Sequence, residues 1–113
     1  IIITETDEEI VKAEHLIVEN IHKVLPKSHV IFVSQLPRGG STDLRARNIN
    51  QMWEKDVNKT VDPLLHFINP YKLFTNPDGT QNLKVYIGDR IHLNKAGYEI
   101  LAQSLEPLIK QYL

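Results

Sequence analysis

His29-Val30-Ile31-Phe32-Val33-Ser34-Gln35-Leu36 carries four apolar residues in succession, Val30 to Val33, with no polar alternation. β-Branched and aromatic residues favour an extended chain. A strand with one wet face alternates apolar and polar positions, whereas a strand covered on both faces reads as a continuous apolar run. The run therefore predicts a strand buried inside a parallel sheet, with helices above and below. Pro37-Arg38-Gly39-Gly40-Ser41 leaves its C-terminal end as a loop.

The flanking segments fit that role. On the N-terminal side, Thr6 and Glu9 have the spacing of a capping box, and Asp7 and Glu8 add negative charge where the helix dipole favours it. Ile10, Ala13, Ile17, Ile21 and Val24, with Leu16 beside them, recur at steps of three and four and predict one apolar helical stripe, which Pro26 ends. On the C-terminal side a second helix is expected from about Asp43 to Asn58, facing inward through Leu44, Ile49, Met52, Trp53 and Val57. Leu64 to Ile68 reads as the next strand, broken by Asn69-Pro70, and Asn76-Pro77-Asp78-Gly79 reads as a turn. A last helix is expected from Asn94 or Lys95 to the end, with Ala96, Ile100, Leu101, Leu105, Leu108 and Ile109 on its apolar side and Pro107 inside it.

Alternation of this kind predicts an α/β fold with a parallel sheet and right-handed crossovers. The chain opens on Ile1-Ile2-Ile3, which reads as the end of a buried strand. Two strands and this remnant make a small doubly wound sheet, and a parallel strand needs neighbours and cover on both faces. The expectation is a single domain, residues 1–113 forming its C-terminal portion, with N-terminal strands supplied from outside this sequence.

Composition bounds the function. The chain has 113 residues, 42% of them hydrophobic and 24% charged, with a net charge of −1. That is enough apolar material for a core, so disorder is not expected. The 13 basic residues are dispersed, without the patch or stripe that nucleic-acid binding needs. No apolar stretch approaches the roughly 18–20 residues of a membrane span. The absence of cysteine excludes disulfides and thiolate metal sites. No histidine pair has metal-ligand spacing, so no metal site is expected. His15 and His22 are expected on one exposed helix side. Asn58-Lys59-Thr60 is a glycosylation sequon, a triplet that also arises often by chance.

The residues with the most chemistry are Asp89 and His92, in Asp89-Arg90-Ile91-His92. They lie in a loop before a helix, where open α/β sheets build their sites. A spacing of three lets the carboxylate meet one imidazole nitrogen. That contact fixes the tautomer and stabilises the imidazolium formed when the other nitrogen takes a proton from a serine. Taken alone the tetrapeptide is weak, since a capped turn with a loop histidine looks the same.

Context adds to it. Gly88-Asp89-Arg90-Ile91-His92-Leu93-Asn94-Lys95-Ala96-Gly97-Tyr98 resembles the last block of the SGNH (GDSL) hydrolases, which commonly reads D-x-x-H-L-N, then a small residue, G and Y. Ser34 to Gly39 is similar to a strand-end segment of the branch that includes platelet-activating factor acetylhydrolase subunits. Arg45, Asn48 and Asn50, then Phe67-Ile68 with Tyr71, and Phe74 with Asp78-Gly79 add supporting pattern. The resemblance runs from about Thr6 to the end. It implies part of a flavodoxin-like three-layer α/β/α sandwich that hydrolyses short acyl esters by a Ser-His-Asp mechanism without a cofactor. His92 would be the general base and Asp89 its orienting partner. Pro37, Arg38 and Ile91 are candidates for a substrate rim, although a solvated loop arginine is the plainer reading of Arg38.

The departures matter as much. The family's serine sits in a G-D-S motif, and its oxyanion hole uses a glycine and the asparagine of G-x-N-D. Neither motif occurs here, and Thr4-Glu5-Thr6-Asp7 is a poor substitute for the second. Ser34, Ser41 and Ser104 are not in a strand–turn–helix elbow, so no nucleophile is expected in this chain. The expected partners are a small-molecule or glycan ester and an N-terminal segment or companion chain carrying the serine, with no nucleic acid and no membrane span. Two other readings compete: a non-catalytic SGNH-like binding module, and an unrelated small α/β binding domain.

Overall fold

The computed structural model describes residues 5–40 and 42–113. Ile1-Ile2-Ile3, read above as a strand remnant, and the loop residue Ser41 lie outside the described residues. The order of elements is α1 (Asp7–Val24), β1 (Val30–Val33), α2 (Thr42–Lys59), β2 (Leu65–Ile68) and α3 (Lys95–Gln111), with 3₁₀ turns at Tyr71–Phe74 and Leu83–Val85 before the last helix. Among the described residues, no helix is long and apolar enough to cross a membrane.

β1 and β2 pair in parallel, Val30 opposite Leu65 and Val33 opposite Ile68. One face of the pair packs under α1 and α2, where Val11, Val18, Ile49, Trp53 and Leu65 form a buried cluster and Val30, Phe32 and Phe67 lie against it. Trp53 has no exposed surface, as expected of a core residue. Its ring stacks on Phe32 at 3.9 Å between centroids and on His15 at 4.1 Å. Alternation turns His66 to the opposite face, where Tyr112, capping the end of α3, stacks on it at 4.2 Å. α1 and α2 thus cover one side of the sheet, and the residue that caps the end of α3 reaches the other.

Four details differ from expectation. Residues 30–33 are half-buried rather than buried, because only two strands are paired among the described residues. On α1 the inward line is Val11 and Val18, whereas Leu16, Ile17 and Val24 are exposed. The helix has apolar residues on two faces, and of the expected stripe Ile10 packs against the core whereas Ile17 and Val24 do not. Leu44 on α2 and Ile109 on α3 are exposed as well. His15 and His22 are not on a solvated side: His15 pairs with Asp56 at 2.9 Å and His22 meets the Ser28 carbonyl at 3.1 Å.

Candidate active site

The loop carrying Asp89 and His92 is a closed hairpin standing on a small core. Tyr86 and Leu93 form an antiparallel bridge, and the Ile87 N–H donates to the His92 carbonyl at 2.9 Å. Beneath it Phe74, Val85, Tyr86 and Leu93 are buried together, with Leu36, Ile100 and Leu101 against them. Asn94 joins this hairpin to α3. Its Oδ1 caps the helix by accepting from the Gly97 N–H at 3.0 Å, while its Nδ2 donates to the Lys84 carbonyl at 2.8 Å. Gly97 is needed where the helix crosses the hairpin. A Cβ there would lie 2.9 Å from the Leu93 Cβ and closer still to the Val85 carbonyl oxygen. Gly97→Ala is therefore expected to destabilise the fold by about 1–3 kcal/mol. A thermal or urea unfolding midpoint checks this, and a midpoint unchanged from the parent would contradict it.

Within the hairpin the chain turns through Gly88–Ile91. The Arg90 N–H donates to the Ile87 carbonyl, and Arg90 has a left-handed φ of 60°. That conformation is uncommon for a residue with a side chain. Asp89 holds the turn from within, its Oδ1 accepting from the backbone N–H groups of Ile91 at 2.9 Å and His92 at 3.0 Å. Its other oxygen, Oδ2, meets His92 Nδ1 at 2.5 Å. An ionised carboxylate only accepts, so Nδ1 carries the hydrogen, and in the neutral imidazole Nε2 keeps its lone pair. The imidazole is 67% exposed. One carboxylate thus fixes both the loop and the tautomer, and the free nitrogen faces outward.

The same contacts hold the Asp89 carboxyl well below its ordinary value of 3.8, at about 2. The side-chain bond from His92 is the main cause, followed by the two backbone N–H donors. Because the folded value is the lower one, the contribution of this carboxylate to the loop is complete above about pH 4 and is lost as the pH falls through about 2. Carbon-detected NMR should find the Asp89 carboxyl titrating near pH 2, and rising towards the ordinary value in His92→Ala. An ordinary value in the parent protein would contradict the pairing.

The remaining positions divide. Ile91 is 56% exposed beside the dyad. Arg38 bonds to Gln35 Oε1 at 3.0 Å, so it is anchored rather than freely solvated. Pro37 is fully buried, and its carbonyl accepts from the Tyr86 hydroxyl at 2.8 Å and from Gln81 Nε2 at 3.3 Å. It ties the β1 exit to the dyad loop and offers no side-chain surface for a rim. Ser34 is buried with its hydroxyl on the Gln35 carbonyl, and the Ser104 hydroxyl bonds back to the Leu101 carbonyl within α3. Each hydroxyl is thus engaged by a backbone carbonyl.

Two residues hold the β1 exit and the dyad turn, and the sequence reading missed Gln81 altogether. Gln81 Nε2 donates to the Arg90 carbonyl at 2.7 Å as well as to Pro37, bridging the dyad turn and the β1 exit. Asn50, buried on α2, clamps the Gln35 backbone through both its amide atoms, at 2.8 and 2.9 Å. Asn50 was singled out only as part of a family pattern, and nothing local marks Gln81.

No protein-family model matches the chain, and no curated protein sequence matches it. Solved structures do match. A Streptococcus pneumonia protein provisionally described as a platelet activating factor aligns with a TM-score of 0.76 at 21% identity, over 90% of this chain and 51% of its own. The esterase domain of the ZfL2-1 ORF1 protein from the zebrafish ZfL2-1 retrotransposon aligns with a TM-score of 0.78 at 21% identity, over 95% of this chain and 61% of that domain. The chain shares the α/β fold of these two structures, and it spans only about half to three-fifths of them.

Proposed function

We propose that these residues are the C-terminal portion of a single SGNH hydrolase domain that cleaves short acyl esters of lipids, sugars or small molecules. His92 is the general base, Asp89 orients it, and the serine lies in an N-terminal segment or a companion chain. The observation that carries this reading is the Asp89 Oδ2–His92 Nδ1 bond, with Nε2 left open to solvent. That is the half of a Ser-His-Asp unit that prepares a base. A solvent-facing base and the exposed apolar residues Leu16, Ile17 and Val24 on α1 suit a chain that another segment covers. Partial coverage of an esterase fold supports the same division.

In the proposed reaction the serine oxygen, its proton passing to His92 Nε2, attacks the ester carbonyl. The tetrahedral intermediate collapses and expels the alcohol, which takes that proton. Water, deprotonated by the same nitrogen, then releases the acid from the acyl-serine. These 113 residues lack the serine and its oxyanion donors, each donor being worth about 10²–10³ in rate. They are therefore expected to show no esterase activity alone, while the protein that contains them turns over p-nitrophenyl acetate. Turnover by the purified 113-residue chain that depends on His92 would overturn the reading.

A further inference from the structure

The turn that aims His92 is held from outside as well as from within. Arg90 sits at a φ of 60°, a left-handed conformation that a residue with a side chain seldom adopts, so contacts from elsewhere must favour it. The peptide that follows, between Arg90 and Ile91, is a rigid plane bound at both ends. Its N–H, that of Ile91, donates to Asp89 Oδ1 at 2.9 Å. Its carbonyl, that of Arg90, accepts from Gln81 Nε2 at 2.7 Å. Gln81 has its own footing. Its backbone bridges Thr75 in antiparallel fashion, and the next residue, Asn82, donates to the carbonyl of the buried Phe74 at 2.9 Å. The second hydrogen of its amide reaches the Pro37 carbonyl at 3.3 Å, which the Tyr86 hydroxyl also holds.

We infer that Gln81 is a positioning residue for His92: it pins the Arg90–Ile91 peptide, and through that plane the Asp89 carboxylate that orients the imidazole. The coupling is geometric. A rotation that takes the Arg90 carbonyl off Gln81 carries the Ile91 N–H off Asp89 Oδ1 at the same time. Asp89 then keeps one backbone donor, the His92 N–H, instead of two. Oδ2 belongs to the same carboxylate, so it loses the fixed direction in which it meets Nδ1. Both acceptors of Gln81 are backbone carbonyls, so the role needs an N–H donor of this reach and no charge. The turn that precedes Gln81 closes without its side chain. There the Asn76 N–H donates to the Thr80 carbonyl at 2.7 Å, and Asp78 Oδ1 accepts from the Thr80 N–H at 3.0 Å. The amide of Gln81 therefore serves the dyad turn and not its own. The catalytic part of this role rests on the ester-hydrolase proposal, whereas the geometry of the dyad does not.

The test compares Gln81→Met and Gln81→Leu with the parent, in the complete protein. Both side chains are close to glutamine in size, uncharged and without an N–H. Carbon-detected NMR should find the Asp89 carboxyl titrating above about 2, the value expected of the parent, and amide exchange at Ile91 and His92 should quicken. For p-nitrophenyl acetate kcat should fall about 10- to 100-fold with KM little changed, the scale of a slightly misplaced catalytic group. A brace that only stabilises the fold would lower the unfolding midpoint and leave the Asp89 titration where it was. The unbranched methionine decides if the leucine variant does not fold. The role is overturned if a folded variant keeps the parent's Asp89 titration and exchange rates, or if KM rather than kcat carries the loss. If the complete protein cleaves no ester, the ester-hydrolase proposal falls, and the titration and exchange rates decide the role of Gln81 by themselves.

Discussion

His92→Ala in the complete protein is expected to lower kcat for a simple aryl ester by on the order of 10⁴–10⁶-fold, with KM little changed. The proposed chemistry passes a proton through Nε2 twice, first from the serine to the departing alcohol and then from the hydrolytic water back to the serine oxygen, so no step survives the loss of that nitrogen. Substrate binding does not use it, which is why kcat and not KM carries the loss. The fold should be unaffected, because the imidazole is 67% exposed and the buried cluster under the hairpin does not include it. Steady-state kinetics with a circular dichroism control measure both. A variant that keeps more than about a tenth of the parent kcat would remove His92 from the reaction, since a positioned base contributes at least about 10²-fold.

Asp89→Asn is expected to cost about 10⁴ in kcat while keeping the loop closed. The two carboxylate oxygens have separate tasks, and the substitution divides them. Oδ1 accepts from the backbone N–H groups of Ile91 and His92, and the asparagine oxygen can do the same. The amide nitrogen replaces Oδ2 and offers hydrogens to Nδ1, where the carboxylate accepted one. Nδ1 must then present a lone pair, the hydrogen moves to Nε2, and the base faces the serine already protonated. Asp89→Ala removes both tasks and should loosen the hairpin as well, visible as faster amide exchange at Ile91 and His92. Nitrogen NMR of the imidazole reads the tautomer directly. An asparagine variant with near-parent kcat, or with Nδ1 still carrying the hydrogen, would contradict the assignment.

The sequence made some of this legible because local rules and tertiary packing agree there. The capping box at Thr6 and Glu9 forms as spaced, with both reciprocal bonds present. The run Val30–Val33 is a parallel strand, and Asn94 caps α3. Asp89 and His92 are three residues apart, so a single turn can join them, and their pairing is a local event. What was not legible depends on distant neighbours. The stripe on α1 was misassigned in part because both of its faces carry apolar residues: Ile10 packs inward as expected, and the cluster with Trp53 and Ile49 takes Val11 and Val18 rather than Ile17 and Val24. Pro37 reads as a surface loop residue, yet Tyr86, 49 positions away, closes over its carbonyl. Gln81 has no sequence signature because its two acceptors are backbone carbonyls of residues 37 and 90. The 21% identity of the structural matches fits this pattern, with the fold surviving where little of the sequence is shared.

The division of the catalytic unit between this chain and a segment outside it is tested most directly with a fluorophosphonate, which modifies only an activated serine. The complete protein, treated and digested, should carry the adduct on one serine outside residues 1–113, and His92→Ala should abolish labelling. An adduct on Ser28, Ser34, Ser41 or Ser104, or labelling that persists without His92, would contradict it.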